Sequence, residues 1–210
     1  MDMDKLKEIG RKRQYELSFT VSLSWRTKSF TLKRAADKLY DLYFNAVLRQ
    51  LWRALNESKR DKEKDPQSTQ GYLEGEELED FLDGDLITPY FLLMGYAFEN
   101  LFKGIYIAQY PEKFDPDKKN TWIRSHDLVD WCVHKCKIKI DEREEGWLEK
   151  LTKTIEWQGK YPVPLELDQI LPSKQEQSFS AFDGRKHQEE LDDLYEKIWL
   201  VLKQTESERD

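Results

Sequence analysis

Between Thr88 and Tyr110 the chain reads Thr-Pro-Tyr-Phe-Leu-Leu-Met-Gly-Tyr-Ala-Phe-Glu-Asn-Leu-Phe-Lys-Gly-Ile-Tyr-Ile-Ala-Gln-Tyr, which is apolar on nearly every face of a helix. A helix with no polar side has to be enclosed, so the remaining elements must pack around it. Thr88 as N-cap, Pro89 at the first helical position and Pro111 beyond the end set its limits. Inside it, Glu99 precedes Lys103 by one turn, in the favourable order, with Asn100 alongside. A buried charge is costly unless paired, so this helix predicts an enclosed ion pair and marks Glu99, Asn100 and Lys103 as candidate binding residues. Gly95 and Gly104 weaken the helix locally, and close approach of a neighbouring backbone is the expected compensation.

Other segments supply the surrounding layer. Helical spacing of Leu32, Ala35, Ala36, Leu39, Tyr40, Tyr43, Ala46, Leu51 and Trp52 predicts a long helix from an N-cap at Thr31 to about Asn56. Ser125 is the expected cap of a third helix reaching about Cys136. Asp141 with Glu144 resembles a capping box opening a fourth, through Trp157. A last amphipathic helix begins near Gly184 and carries Leu191, Leu194, Tyr195, Ile198 and Leu202. Glu57–Gln70 and the acidic tract from Glu74 to Asp85 read as a mobile loop. Before the helices, Tyr15, Leu17, Phe19, Val21, Leu23 and Trp25 alternate with polar residues, the pattern of a half-buried strand. Its pairing partner is open between Ile138 with Ile140 and a strand of another protein. The fold class expected is therefore mainly α: an antiparallel bundle of about five helices with a strand-like N-terminal arm. Residues 1–30 form the arm, 31–203 the helical domain and 204–210 a polar tail.

Composition narrows the function classes. A net charge of -7 argues against non-specific coating of nucleic acid, which needs Lys and Arg on phosphates. Local basic groups remain at Lys5–Arg13, at Lys118 with Lys119, and at Lys135, Lys137 and Lys139. No secretory leader pattern and no uncharged run of about 18 residues occurs. A cytoplasmic protein without a membrane partner is expected. Two cysteines, Cys132 and Cys136, are too few for a disulfide framework and fit a reducing compartment. Seven Trp and ten Tyr exceed what one small core hides, so a symmetric homodimer is expected.

His126 has a ring suited to proton exchange near neutral pH and could converge with Glu99 and Lys103. Ser125-His126-Asp127 is equally an ordinary helix start, with Asp127 at the positive end of the dipole. Cys132, His134 and Cys136 do not align for metal on one helix, because residues two apart face roughly opposite sides. Neither a Gly-rich phosphate loop nor a nucleophile elbow nor a zincin helix is present, and no cofactor or metal is expected.

The order Gly-Tyr-Ala-x-Glu-Asn-Leu-x-Lys-Gly on an apolar helix, a polar loop, then His126-Asp127-Leu128 opening the next helix resembles HEPN-like helical domains. Glu99, Lys103, His126, Asp127 and Leu128 carry the likeness. Ile155-Glu156-Trp157-x-Gly159-Lys160-Tyr161-Pro162 resembles a segment of uncharacterised relatives. The resemblance implies a helical bundle, often dimeric, associated with toxin-antitoxin, phage-defence or RNA-processing systems. Many members are metal-independent ribonucleases with an Arg, four to six intervening residues, then His. Here Arg124 lies two residues before His126 and Arg185 two before His187, so that activity does not transfer. Three classes stay open: a module acting through RNA, nucleotide or protein contacts; a ribonuclease with Arg124 and His126 as catalytic residues; and a structural subunit docking a partner through the N-terminal strand. Lys160 and Tyr161, on an extended path fixed by Pro162 and Pro164, are added as binding candidates for phosphate and base.

Overall fold

The computed structural model describes residues 22–60, 75–113, 121–158 and 184–208, together with 3, 9 and 10. Five α-helices have described bounds: α1 (Ser22–Arg60), α2 (Glu76–Gly84), α3 (Ile87–Gln109), α4 (Glu142–Lys153) and α5 (Gly184–Ser207). Short 3-10 turns at Pro111–Lys113 and Thr121–Arg124, and π-helical turns at Asp130–Lys135 and Thr154–Gln158, complete them. The protein is a helical bundle. No described helix is long and apolar enough to cross a membrane.

As its composition requires, α3 is enclosed, touching α1, α4 and α5. It contributes Tyr90, Met94, Phe98, Leu101, Phe102 and Ile105 to the core, all fully buried. Each such side chain is worth roughly 1.5–3 kcal/mol relative to exposure. Both glycines sit at close approaches. A Cβ on Gly95 would stand 2.7 Å from Ile155 Cγ1 and 3.3 Å from the Leu151 carbonyl oxygen. One on Gly104 would stand 3.1 Å from Trp25 Cβ. The helix starts two residues earlier than Thr88 and Pro89 suggest, at Ile87 with Leu86 in the cap position, and no side chain caps it.

Three expectations about α1 and the strand before it are corrected. Thr31 is not an N-cap but lies inside the helix, its hydroxyl donating to the Thr27 carbonyl at 2.9 Å. The helix begins instead by Ser22, so Leu23 and Trp25, the end of the alternating pattern, are helical; Tyr15 to Val21 lie outside the described residues. What outweighs the alternation is a second pattern with helical spacing: Ser29, Ala36 and Tyr40 are buried, and Ser22 and Arg26 both reach Glu206 of α5. Nor do Ile138 and Ile140 form a strand, and no strand occurs among the described residues. The Ile138 N–H is taken by the Cys132 carbonyl at 2.9 Å.

The acidic tract is also not a loop throughout, because Glu76–Gly84 folds as α2. Its anchor is Asp80, 2% exposed, with Arg49 Nε at 2.5 Å and Arg53 Nη1 at 2.7 Å, both from α1. Two guanidinium groups compensate one buried carboxylate, which unpaired would be prohibitive. Gln50 adds a bond from Nε2 to the Asp80 carbonyl at 2.8 Å.

At α4 the capping box is complete. Asp141 Oδ1 accepts from the N–H groups of Arg143 and Glu144, and Glu144 Oε2 accepts from the Asp141 N–H at 2.9 Å. The helix runs on through the π-helical turn to Gln158. The segment read as a third helix from Ser125 is different: Ser125 to Asp127 are irregular, and Asp127 is the cap, its Oδ1 accepting from the Asp130 N–H at 2.9 Å. α5 starts at Gly184 and extends through Ser207, into the residues expected as a tail.

Candidate functional site

The buried acid–base pair on α3 is also where a second segment of chain is tied to that helix. Glu99 and Lys103 are 7% and 2% exposed, and Lys103 Nζ donates to Glu99 Oε1. The other carboxylate oxygen, Oε2, lies 2.8 Å from His126 Nδ1. An ionised carboxylate only accepts, so Nδ1 is the donating nitrogen. Lys103 Nζ also donates to the Ile123 carbonyl at 2.5 Å. One carboxylate therefore bridges an ammonium and an imidazole, and the ammonium in turn holds the backbone of the turn that delivers the imidazole.

Burial lowers the Lys103 pKa from the usual lysine value, with the Glu99 carboxylate opposing the shift by charge and hydrogen bond. Trp131 closes the site. Its ring centroid is 5.7 Å from Lys103 Nζ and 4.1 Å from Lys135 Nζ, its edge meets Tyr106, and its Nε1 donates to the Ser125 carbonyl at 3.1 Å. Lys135 also pairs with Asp130 at 2.9 Å. From the α4 side, Thr152 Oγ1 accepts the Leu128 N–H at 3.0 Å. The π-helical turn at Asp130–Lys135 thus sits against α3, with Leu128 just before it tied to α4, an irregularity of a kind that recurs at functional positions in helical proteins.

Of the candidates read from sequence, Glu99, Lys103 and His126 come together. Asn100 does not join them, because its side-chain amide donates to the Tyr96 carbonyl at 2.6 Å within α3. Arg124 is exposed at the end of the 3-10 turn, two residues from a His126 side chain that is 35% exposed. Lys160 and Tyr161 lie outside the described residues, as does the side chain of Trp157. Cys132 and Cys136 are buried thiols; burial pushes Cys132 up to about 12 and Cys136 up as well, and the Cys136 thiol donates to the Phe102 carbonyl at 3.3 Å. His134 is exposed, and no group of residues suited to hold a metal ion occurs among those described. Beside the π-helical turn at Asp130–Lys135, a groove of about 580 Å³ is lined by Val129, Val133, Ile138 and Ile140 together with His134, Lys137, Lys139 and Glu145.

The sequence reading missed Ile123, Trp131 and Thr152. Trp131 was findable: it follows His126 by five residues with Leu128, Val129 and Val133 around it, and an indole there needs both cover and an acceptor. Nothing in a sequence marks the carbonyl of Ile123. In comparisons with known proteins, no family model, no curated protein and no solved structure matches the chain.

Proposed function

We propose that this is an HEPN-like helical module that contacts single-stranded RNA at the surface bearing His126 and Arg124, in the setting of a defence, toxin-antitoxin or stress system. The observation that carries the reading is the imidazole held at Nδ1 by a buried carboxylate while a third of its side chain stays exposed. A merely structural histidine needs no access to solvent; one that meets a ligand does. Arg124, exposed and two residues before it in the chain, would supply a cation for a phosphate. The groove next to the π-helical turn adds Lys137 and Lys139 to the same stretch of chain. In this proposal the bundle is antiparallel. That is supported by the reversed order of partners between α1 and α5, where Ser22 meets Glu206, Ser29 meets Tyr195 and Lys33 meets Asp192.

The same dyad favours a second reading, metal-independent RNA cleavage. A carboxylate that fixes the imidazole leaves Nε2 as the nitrogen for proton transfer. His126 would take the 2′-hydroxyl proton as the 2′-oxygen attacks the adjacent phosphorus. The bond from phosphorus to the 5′-oxygen would break, and the proton taken up by His126 would pass by way of a water molecule to that departing oxygen, leaving a 2′,3′-cyclic phosphate and a 5′-hydroxyl, with Arg124 facing the phosphorane charge. Fluorescence anisotropy with a labelled single-stranded RNA pool tests the first reading, and gel analysis of the same RNA with chelator present tests the second. His126→Ala and Arg124→Ala should each weaken binding about tenfold, and only the second reading predicts cleavage that His126→Ala abolishes. No binding by the parent chain leaves a structural subunit as the remaining class.

A further inference from the structure

The C-terminal half of α1 carries an apolar face that the bundle does not use. Leu48, Leu51, Trp52 and Leu55 are 47%, 55%, 68% and 64% exposed. At 100° per residue they share an arc of about 100° and span roughly 10 Å of helix. Burying a large aromatic together with three leucines is what a helix seam does, and leaving them in water is what soluble proteins avoid over contiguous areas. Together they leave on the order of 500 Å² of apolar surface, near the top of the range for the largest patch on a monomer.

We propose that this stripe is a self-association surface, occupied by the same stripe of a second copy. Its spacing is the first argument: 48, 51, 52 and 55 are separated by three, one and three residues, which reads the same in both directions. A two-fold axis passing between residues 51 and 52 sets two copies antiparallel, with Leu48 opposite Leu55 of the second copy and Leu51 opposite its Trp52. Every apolar residue then meets an apolar residue, the self-complementarity a two-fold interface demands. Charge is the second argument. The only charged residues between positions 47 and 56 are Arg49 and Arg53, and both are engaged by Asp80 of α2, so closing the seam strands no new charge. Those same pairings remove the basic rim that docking on a lipid surface would need, in a chain of net charge -7. Area is the third: the stripe supplies over half of the roughly 800 Å² per partner that a standard interface covers, leaving the remainder to a polar rim. The proposal stands on α1 and does not depend on the role of His126.

Light scattering coupled to size exclusion, on the full chain at 10–100 μM, tests it. The parent should run at twice the chain mass of 25.2 kDa. Trp52→Glu and, independently, Leu55→Glu should halve that mass with unchanged circular dichroism, since both side chains are already exposed. Leu200→Glu, at a residue of α5 that is 55% exposed, should leave the dimer intact. A parent running at 25.2 kDa, or a dimer that survives both stripe substitutions in folded protein, overturns the proposal.

Discussion

Replacing Lys103 by Met separates a buried functional pair from an ornamental one. The methionine keeps the aliphatic stem in place beside Trp131, so little packing is lost and the change is chiefly one of charge. What remains is the Glu99 carboxylate, its side chain 9% exposed, with His126 Nδ1 as its hydrogen-bond partner. Breaking a pair this deeply buried costs about 3–5 kcal/mol, against less than about 1 kcal/mol for an exposed one. The contact with His126 compensates part of it, which places the expected loss near the lower end, at about 3 kcal/mol. For a chain of this length that corresponds to a fall in Tm of about 6–12 °C. Urea unfolding followed by tryptophan emission, with m-values compared between variants, measures it directly. Glu99→Gln alone should also destabilise, by leaving Lys103 with the Ile123 carbonyl and the Trp131 ring as partners. The double variant should lose less than the sum of the two, because it leaves neither charge behind. A loss below about 1 kcal/mol for Lys103→Met, with m unchanged, would refute the view that these residues form one electrostatic unit.

Gly95→Ala should destabilise by about 1–3 kcal/mol through overpacking against Ile155, and combining it with Ile155→Ala should cost less than the two separately, as thermal melts of the four forms will show. Raising the pH should unfold the protein. Tyr40 and Tyr195 are pushed by burial from 10.0 to about 12, and Cys132 from 9.0 to about 12, so the folded state keeps protons that the unfolded chain releases. Their contribution is fully present below about pH 9, the thiol's ordinary range, and is lost as pH rises through about 12; the tyrosinate absorbance that Tyr40→Phe or Tyr195→Phe removes should then appear together with the change in circular dichroism, and its appearance in folded protein near pH 10 would contradict the burial. His126→Ala should weaken binding of single-stranded RNA about tenfold while Lys28→Ala, on an exposed part of α1, leaves it near the parent value. The stripe on α1 adds the prediction that Trp52→Glu halves the mass in solution.

The central helix was legible because its composition admits one solution: twenty-three residues with one carboxylate and one ammonium must be enclosed, and the two charges must meet. The Asp141–Glu144 capping box was legible because it is local, its partners three residues apart. What misled was pattern without its competitor. The alternation up to Trp25 is a period of two, yet its last residues belong to a helix whose buried positions, Ser29, Ala36 and Tyr40, lie further along. Acidity likewise made Glu76–Gly84 look like a loop, since the arginines that bury Asp80 come from thirty residues earlier. At the site, Glu99 and Lys103 were legible from helical spacing and His126 as a chemically apt residue, but the ties through Ile123 and Thr152 were not. Those depend on how a 3-10 turn and a π-helical turn present backbone atoms, which side-chain patterns do not encode.

The most direct test of a ligand-facing His126 is to watch the ring itself. Long-range proton–nitrogen NMR spectra of the imidazoles, recorded while an unlabelled single-stranded RNA oligonucleotide is added, resolve His126, His134 and His187 once each is assigned by substitution. Saturable shifts are expected at His126, accompanied by the Arg124 guanidinium, with Nδ1 keeping its hydrogen throughout because Glu99 holds it. His187, packed edge-on to Trp147, should stay where it is. An unmoved His126 at RNA concentrations that saturate binding measured by anisotropy, or no binding at all, would show that His126 does not face RNA.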